Sequence, residues 1–303
     1  MEHIASVSRS SGLEKDGDTL KDFKIQEEYR EFLQGKSIES DSEARQRIDA
    51  QENVLILFRK LREGIFSSRR TDSFALEVYE TSLYLSVAFN STKQTTPIIS
   101  HLLPDLYLIV SPPHHNRPVT ILISLVHHLV ATYPSQSLFQ QHLDTIPLSL
   151  LPKNSKASKW INSLARSLRA RNFIEFERLT GPFTIGRLFD AQDTPSNPPK
   201  GSSPMLSTNG RLADLSHSAL YEIIDSLRSK TRGTSWDVFR SAYREVSCAS
   251  ETGNWLARSL FLNPLGPHTA TIGVDQWFKQ QSQLGHVRPK EGTADKWIVC
   301  KFR

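Results

Sequence analysis

Ten histidines, two cysteines and a scattering of carboxylates are the side chains of this 303-residue sequence best able to hold a metal or move a proton. Their spacing points away from catalysis. His114-His115 and His127-His128 are adjacent pairs, and neighbours on a helix point about 100° apart, so neither pair closes on one ion. No His-Glu-x-x-His is present, and these histidines read as surface or helix-end residues. Cys248 and Cys300 are too few for a disulfide framework or a zinc site and read as reduced, mostly buried thiols. No glycine-rich turn precedes Lys-Ser/Thr, no Gly-x-Ser-x-Gly occurs, and no carboxylate pair stands out from ordinary helix-surface acids. The expectation is a non-enzymatic chain with no cofactor, no metal and no small-molecule substrate.

What is left is charge. The net charge is +5, while residues 1–50 carry twelve acids against eight Lys/Arg, so the body is more basic than the whole. A polyanion would therefore meet the body and not the acidic start. Two clusters qualify. Lys156, Lys159, Arg166 and Arg169 fall at helical spacing and form one stripe, within a stretch that also holds Lys153, Arg171 and Arg178 against Glu175 and Glu177. Near the C-terminus, Arg240, Arg244, Lys279, Arg288, Lys290 and Lys296 are basic, with Trp277 and Trp297 close in sequence. Such side chains bind backbone phosphates of RNA or DNA through charge and with strong salt dependence. The plainer alternative is a solvated helix face and core tryptophans.

The elements that would carry these residues are mostly helical. Residues 1–40 are Ser-, Asp-, Glu- and Lys-rich and are expected to form a tail without stable structure, with at most one short helix. From Ser42 to Phe66, Ile48, Val54, Leu55, Leu57, Phe58, Leu61 and Ile65 recur at spacings that mark one buried face. Helices follow over Asp72–Phe89, with Asp72 or Thr71 as N-cap, and from Pro97, with Pro97 in the first turn and Pro104 as a break. Three more are expected over Val119–Thr132, Gln136–Ile146 and Ser155–Ala170. Arg171-Asn172 then breaks the chain before Phe173–Leu179. This rhythm of short-looped helix pairs over 41–190 suggests a TPR-like helical-repeat array. Residues 191–210 read as a Pro/Ser-rich linker or insertion. Over 211–303 the pattern predicts helices at Arg211–Lys230, Trp236–Val246, Asn254–Leu262 and Val274–Leu284, stopped by Gly285. Two strands around a Glu-Gly-Thr-Ala-Asp tip follow. Helices followed by a hairpin wing are the order of a winged helix. No apolar run reaches the roughly 18 residues of a membrane span, and Met1–Leu20 lacks the apolar core of a signal peptide.

A mostly α chain, with a helical-repeat array followed by a C-terminal winged helix, has the layout of PCI-domain proteins. Two blocks resemble the SAC/GANP group among them. One is the run from Phe74 to Thr81, with its Val-Tyr-Glu-Thr core, continuing to Leu106-Tyr107. The other is Ser163 to Leu179, a small-residue helix, a tight turn and an aromatic-rich helix. Where that group has a glycine in the turn, this sequence has Arg171 beside Asn172, and Asn-Ser-Thr-Lys stands in place of its acidic loop after Phe89.

The resemblance implies a scaffold in nuclear messenger-RNA processing or export, with a second PCI-type subunit and a small acidic protein as partners. It implies a nuclear or cytoplasmic location. Two alternatives stay open. One is a subunit of the proteasome lid, the signalosome or a translation-initiation complex with no nucleic-acid role. The other is a winged-helix DNA-binding protein that presents Gln276, Lys279, Gln280 and Gln283 to a major groove.

Overall fold

The computed structural model describes residues 20–38, 44–110, 116–189, 208–266, 271–293 and 295–301. The chain is mostly helical, with little strand. It divides into two compact units. One holds the residues up to Arg117 together with Leu212–Ser216, and the other holds Pro118–Arg211 and His217–Arg303. Of the expected features, residues 1–19 of the tail, His114 and His115, Phe302 and most of the 191–210 linker lie outside the described residues.

In the first unit, α1 (Phe23–Ile38), α2 (Ala44–Ser67), α3 (Ser73–Ala88) and α4 (Thr92–His101) follow one another. α1 exceeds the one short helix expected in the tail, running for 16 residues. The reason is a long-range anchor at Arg70, in the turn after α2. The buried Arg70 guanidinium donates to Phe23 O at 3.2 Å, Gln26 Oε1 at 3.2 Å and Glu27 Oε1 at 2.7 Å, and it bonds Asp72 Oδ2 at 2.8 Å. It also lies 4.5 Å above the Phe23 ring and 4.1 Å from that of Phe74. A charge removed from water needs such full pairing, and here the pairing fixes α1. Gly64 on α2 allows the chain to approach before α1, since a Cβ there would sit 2.6 Å from Leu20 O.

α3 is buried on nearly all sides, as its dense apolar content predicts, and Asp72 caps it by accepting from Ala75 N at 3.0 Å. Its buried Glu80 accepts a hydrogen bond from Tyr107 Oη. Ile48 departs from the predicted buried face of α2 and is exposed. Pro97 is not in a first turn. Asn90 takes a left-handed conformation (φ 52), and Ser91 O accepts from Gln94 N and Thr95 N, so α4 starts earlier and Pro97 lies inside it. Helical geometry breaks at Leu103 (φ −121, ψ 129), the residue before Pro104, where the α region is disfavoured. The chain kinks there and resumes helical turns through Leu106 and over Tyr107–Ile109.

In the second unit come α5 (Arg117–Thr132), α6 (Ser137–Thr145), α7 (Lys156–Arg169), α8 (Phe173–Leu179) and the short α9 (Pro182–Gly186). The next element, α10 (Thr208–Ala242), is one helix of 35 residues, not the two that the sequence suggests. Thr231–Ser235 reads as a break, yet tertiary contacts hold it helical. Arg232 donates to Leu260 O at 2.8 Å and to Phe261 O at 2.7 Å, and Ser235 Oγ donates to Ser259 O at 2.9 Å. These anchors outweigh the ~1 kcal/mol that Gly233 costs a helix.

After α10 come β1 (Glu245–Ser247), α11 (Ser250–Ser259), α12 (Val274–Gln283), β2 (Val287–Pro289) and β3 (Lys296–Val299). The three strands form an antiparallel sheet in the order β1-β3-β2, with Val246 opposite Trp297 and Arg288 opposite Ile298. The hairpin β2–β3 lies where the sequence predicts it. β1 is an addition, because Val246 reads as the end of a helix. A core of Trp236, Phe239, Val246, Leu256, Leu260, Leu262, Phe278, Val287 and Val299 joins this sheet to α10, α11 and α12. Trp277 and Trp297 pack against it half-buried, which makes them structural.

Candidate nucleic-acid interface

α7 begins at Ser155, whose side chain accepts from Ser158 N at 3.1 Å. Its inner face buries Trp160, Ile161, Leu164, Ala165 and Leu168, and Trp160 Nε1 donates to Leu179 O at 2.9 Å. That burial fixes the rotation of the helix. Lys156, Lys159, Arg166 and Arg169 are thereby turned to solvent, all four exposed, with Asn162 between them. The helix contains no acid, and among the described residues no carboxylate lies within ion-pair distance of these cations. Arg166 and Arg169 in the last turn suit the helix dipole. Lys156 and Lys159 sit at the opposite end, where a cation costs roughly 0.3–1 kcal/mol. Helix stability therefore does not account for this stripe.

At the end of α7 the chain reverses through Arg171, in a left-handed conformation (φ 51) that costs roughly 1–2 kcal/mol for a residue with a Cβ. Asn172 caps α8, accepting from Glu175 N at 3.1 Å. Arg171 adds an exposed cation to the end of the stripe. Arg178 does not, because Glu175 holds it at 2.8 and 2.5 Å, and the same contact lowers the Glu175 carboxyl below its ordinary range.

The cations of the C-terminal sheet region are used differently. Arg240 is buried and donates to Cys300 O at 3.2 Å, so it braces the core and offers nothing to a polyanion. Lys290 bonds Glu245 at 3.0 and 2.8 Å, and Lys296 lies 3.8 Å from the same carboxylate. The bond from Lys290 lowers the Glu245 carboxyl. Arg244, Lys279 and Arg288 are exposed. Of the ten cations singled out from the sequence, four thus share one open helix face and three are buried or paired.

No group of three or more His, Cys, Asp or Glu suited to an ion occurs among the described residues. The histidines are not simple surface residues. His127 is buried, and His128 stacks on His142 at 4.2 Å. His142 Nε2 lies 3.0 Å from Ser124 Oγ, and His128 Nδ1 lies 2.7 Å from Ser124 O. Burial, followed by neighbouring His128, pushes both His127 and His142 down to about 4, so both are neutral at pH 7.

A groove that the sequence did not signal lies between α8, the end of α10 and α11. It is lined by Ile174, Val238, Phe239, Tyr243, Trp255 and Arg258 among others. Ile174 stands 64 positions before Val238 and Trp255 another 17 after it, separations that no local periodicity relates. Set against known proteins, the chain matches no family model, and no curated protein matches it. No helix among the described residues is long and apolar enough to cross a membrane.

Proposed function

We propose that this chain is a non-enzymatic PCI-type scaffold, nearest the SAC/GANP group, that contacts RNA through the exposed face of α7. The single observation that carries the RNA contact is that face: four cations, no acid, and two of them placed against the helix dipole. The PCI-type reading draws its support from the C-terminal order of helix, strand, two helices and hairpin, with strands in the order β1-β3-β2, which is that of a winged helix. The helix pairs that precede it suit a repeat array. By the resemblance in the Phe74–Thr81 and Ser163–Leu179 blocks, its setting is a nuclear complex in messenger-RNA processing or export. A second PCI-type subunit and a small acidic protein would be its partners.

The test is binding of the purified full chain to RNA across a salt series, with capture and mass-spectrometric identification of its partners. The reading expects sequence-indifferent binding that weakens steeply with salt. Absence of binding at physiological salt would favour a lid, signalosome or initiation-complex subunit. A second reading, recognition of duplex DNA, rests on α12, whose Gln276, Lys279, Gln280 and Gln283 are exposed. It predicts preference for a particular duplex over single strands.

A further inference from the structure

The groove between α8, the end of α10 and α11 has a volume of about 380 Å³, which is within the range of sites that take a small ligand group. Its apolar residues are unusually open: Ile174 is 84% exposed, and Tyr243 and Trp255 are each 43% exposed. The rings form a connected set. Buried Phe239 stacks on Tyr243 at 4.7 Å and lies 6.0 Å from Trp255, while Tyr243 and Trp255 meet edge to face at 5.8 Å. Phe239 belongs to the core of the unit, so the two exposed rings are held from below by a fixed floor.

Charge surrounds this aromatic surface. Arg258 lines the groove and is 69% exposed, and Arg244 adjoins Tyr243. Phe173, another lining residue, lies two positions after Arg171, so the cationic stripe of α7 ends within about 7 Å of the groove. Against these cations stand Glu177, 3.8 Å from Arg258, and Glu251, one turn before Trp255. Glu177 also gives the groove an acceptor for a ring N–H or exocyclic amine.

From this arrangement we infer that the groove is a stacking site for a base of single-stranded nucleic acid whose phosphates follow the stripe Lys156–Arg171. The inference rests on the RNA contact proposed for α7 and adds its strand class. Duplex bases keep their faces covered, whereas an unpaired strand offers them to aromatic rings while its backbone tracks a positive groove. A helix of an acidic protein partner would use Ile174, Val238 and the cations as well, but it gains nothing from two flat rings open to stacking, so the base-dependent binding tested below separates the two.

The experiment compares binding of the full chain to a fluorescent oligouridylate and to an abasic phosphate–sugar oligomer of equal length. The natural chain should prefer the base-bearing oligomer by roughly tenfold. The double variant Trp255→Ala/Tyr243→Ala should lose that preference yet keep the salt dependence set by α7. Ile174→Glu, at a position open enough to leave folding intact, should lose it too, and Trp255→Phe should keep most of it. Preference retained by both the double variant and Ile174→Glu would reassign the groove to a protein partner and overturn the inference. Equal binding of both oligomers by the natural chain would overturn it while leaving the α7 contact standing. Failure of the natural chain to bind either oligomer would remove both.

Discussion

The α7 face carries four of the singled-out cations and the C-terminal sheet region six, yet α7 leaves all of its own to solvent while the sheet region leaves only Arg244, Lys279 and Arg288 open. On α7 the apolar half of the helix is committed to the core, no acid shares the element, and every cation is left to solvent. In the sheet region, Glu245 gathers Lys290 and Lys296, and Arg240 is drawn inside to meet Cys300 O. The comparison teaches that positive residues counted along a sequence measure only a supply. What reaches a polyanion is what the fold leaves unpaired.

The comparison breaks most decisively if α7 is inverted. Reversing Lys156, Lys159, Arg166 and Arg169 to Glu should weaken RNA binding on the order of a hundredfold and flatten its salt slope by roughly three. Binding curves at several salt concentrations measure both, and an unchanged slope would remove α7 from the interface. Arg240→Ala should do the reverse. It leaves Cys300 O without its buried donor, so stability should fall by about 1–3 kcal/mol in denaturant titration while RNA affinity holds. Glu245→Gln sharpens the contrast more gently. By releasing Lys290 and Lys296 it should raise RNA affinity a few-fold at low salt, with the gain vanishing at high salt. Arg171→Gly relieves a left-handed backbone that a Cβ disfavours, so it should leave the melting temperature unchanged or slightly higher while costing one phosphate contact.

Acid should separate the regions in another way. His127 and His142 titrate at about 4 when folded against about 6.5 unfolded, so the unfolded chain binds protons first. The contribution of these two histidines to stability should be level above about pH 6.5 and fall between 6.5 and 4, and below that the lowered Glu175 and Glu245 carboxyls carry the loss further. His142→Gln should shallow that fall, measured as melting temperature against pH.

Much of the helical frame was legible in the residues. Asp72 caps the helix it was expected to cap, Asn172 caps the one it was expected to precede, and the apolar spacing of α7 predicts both its buried face and its cationic one. The hairpin β2–β3 announced itself through β-forming residues around a glycine tip, with Gly292 at φ 78. The misses share a cause. The length of α1, beyond the short helix expected, depends on Arg70 more than forty positions away. The continuity of α10 past Gly233 depends on carbonyls of Ser259, Leu260 and Phe261. β1 exists because β3 offers it an open edge.

By itself, then, the sequence determined where most of the chain coils and which helix face turns inward. These follow from side-chain period and capping chemistry, which act over one or two turns. Only the tertiary structure decided which charges are free, that three separate helices enclose an aromatic groove, and that a buried arginine organises the first helix. Those outcomes depend on groups brought together by folding, whose pairing and desolvation no local pattern encodes.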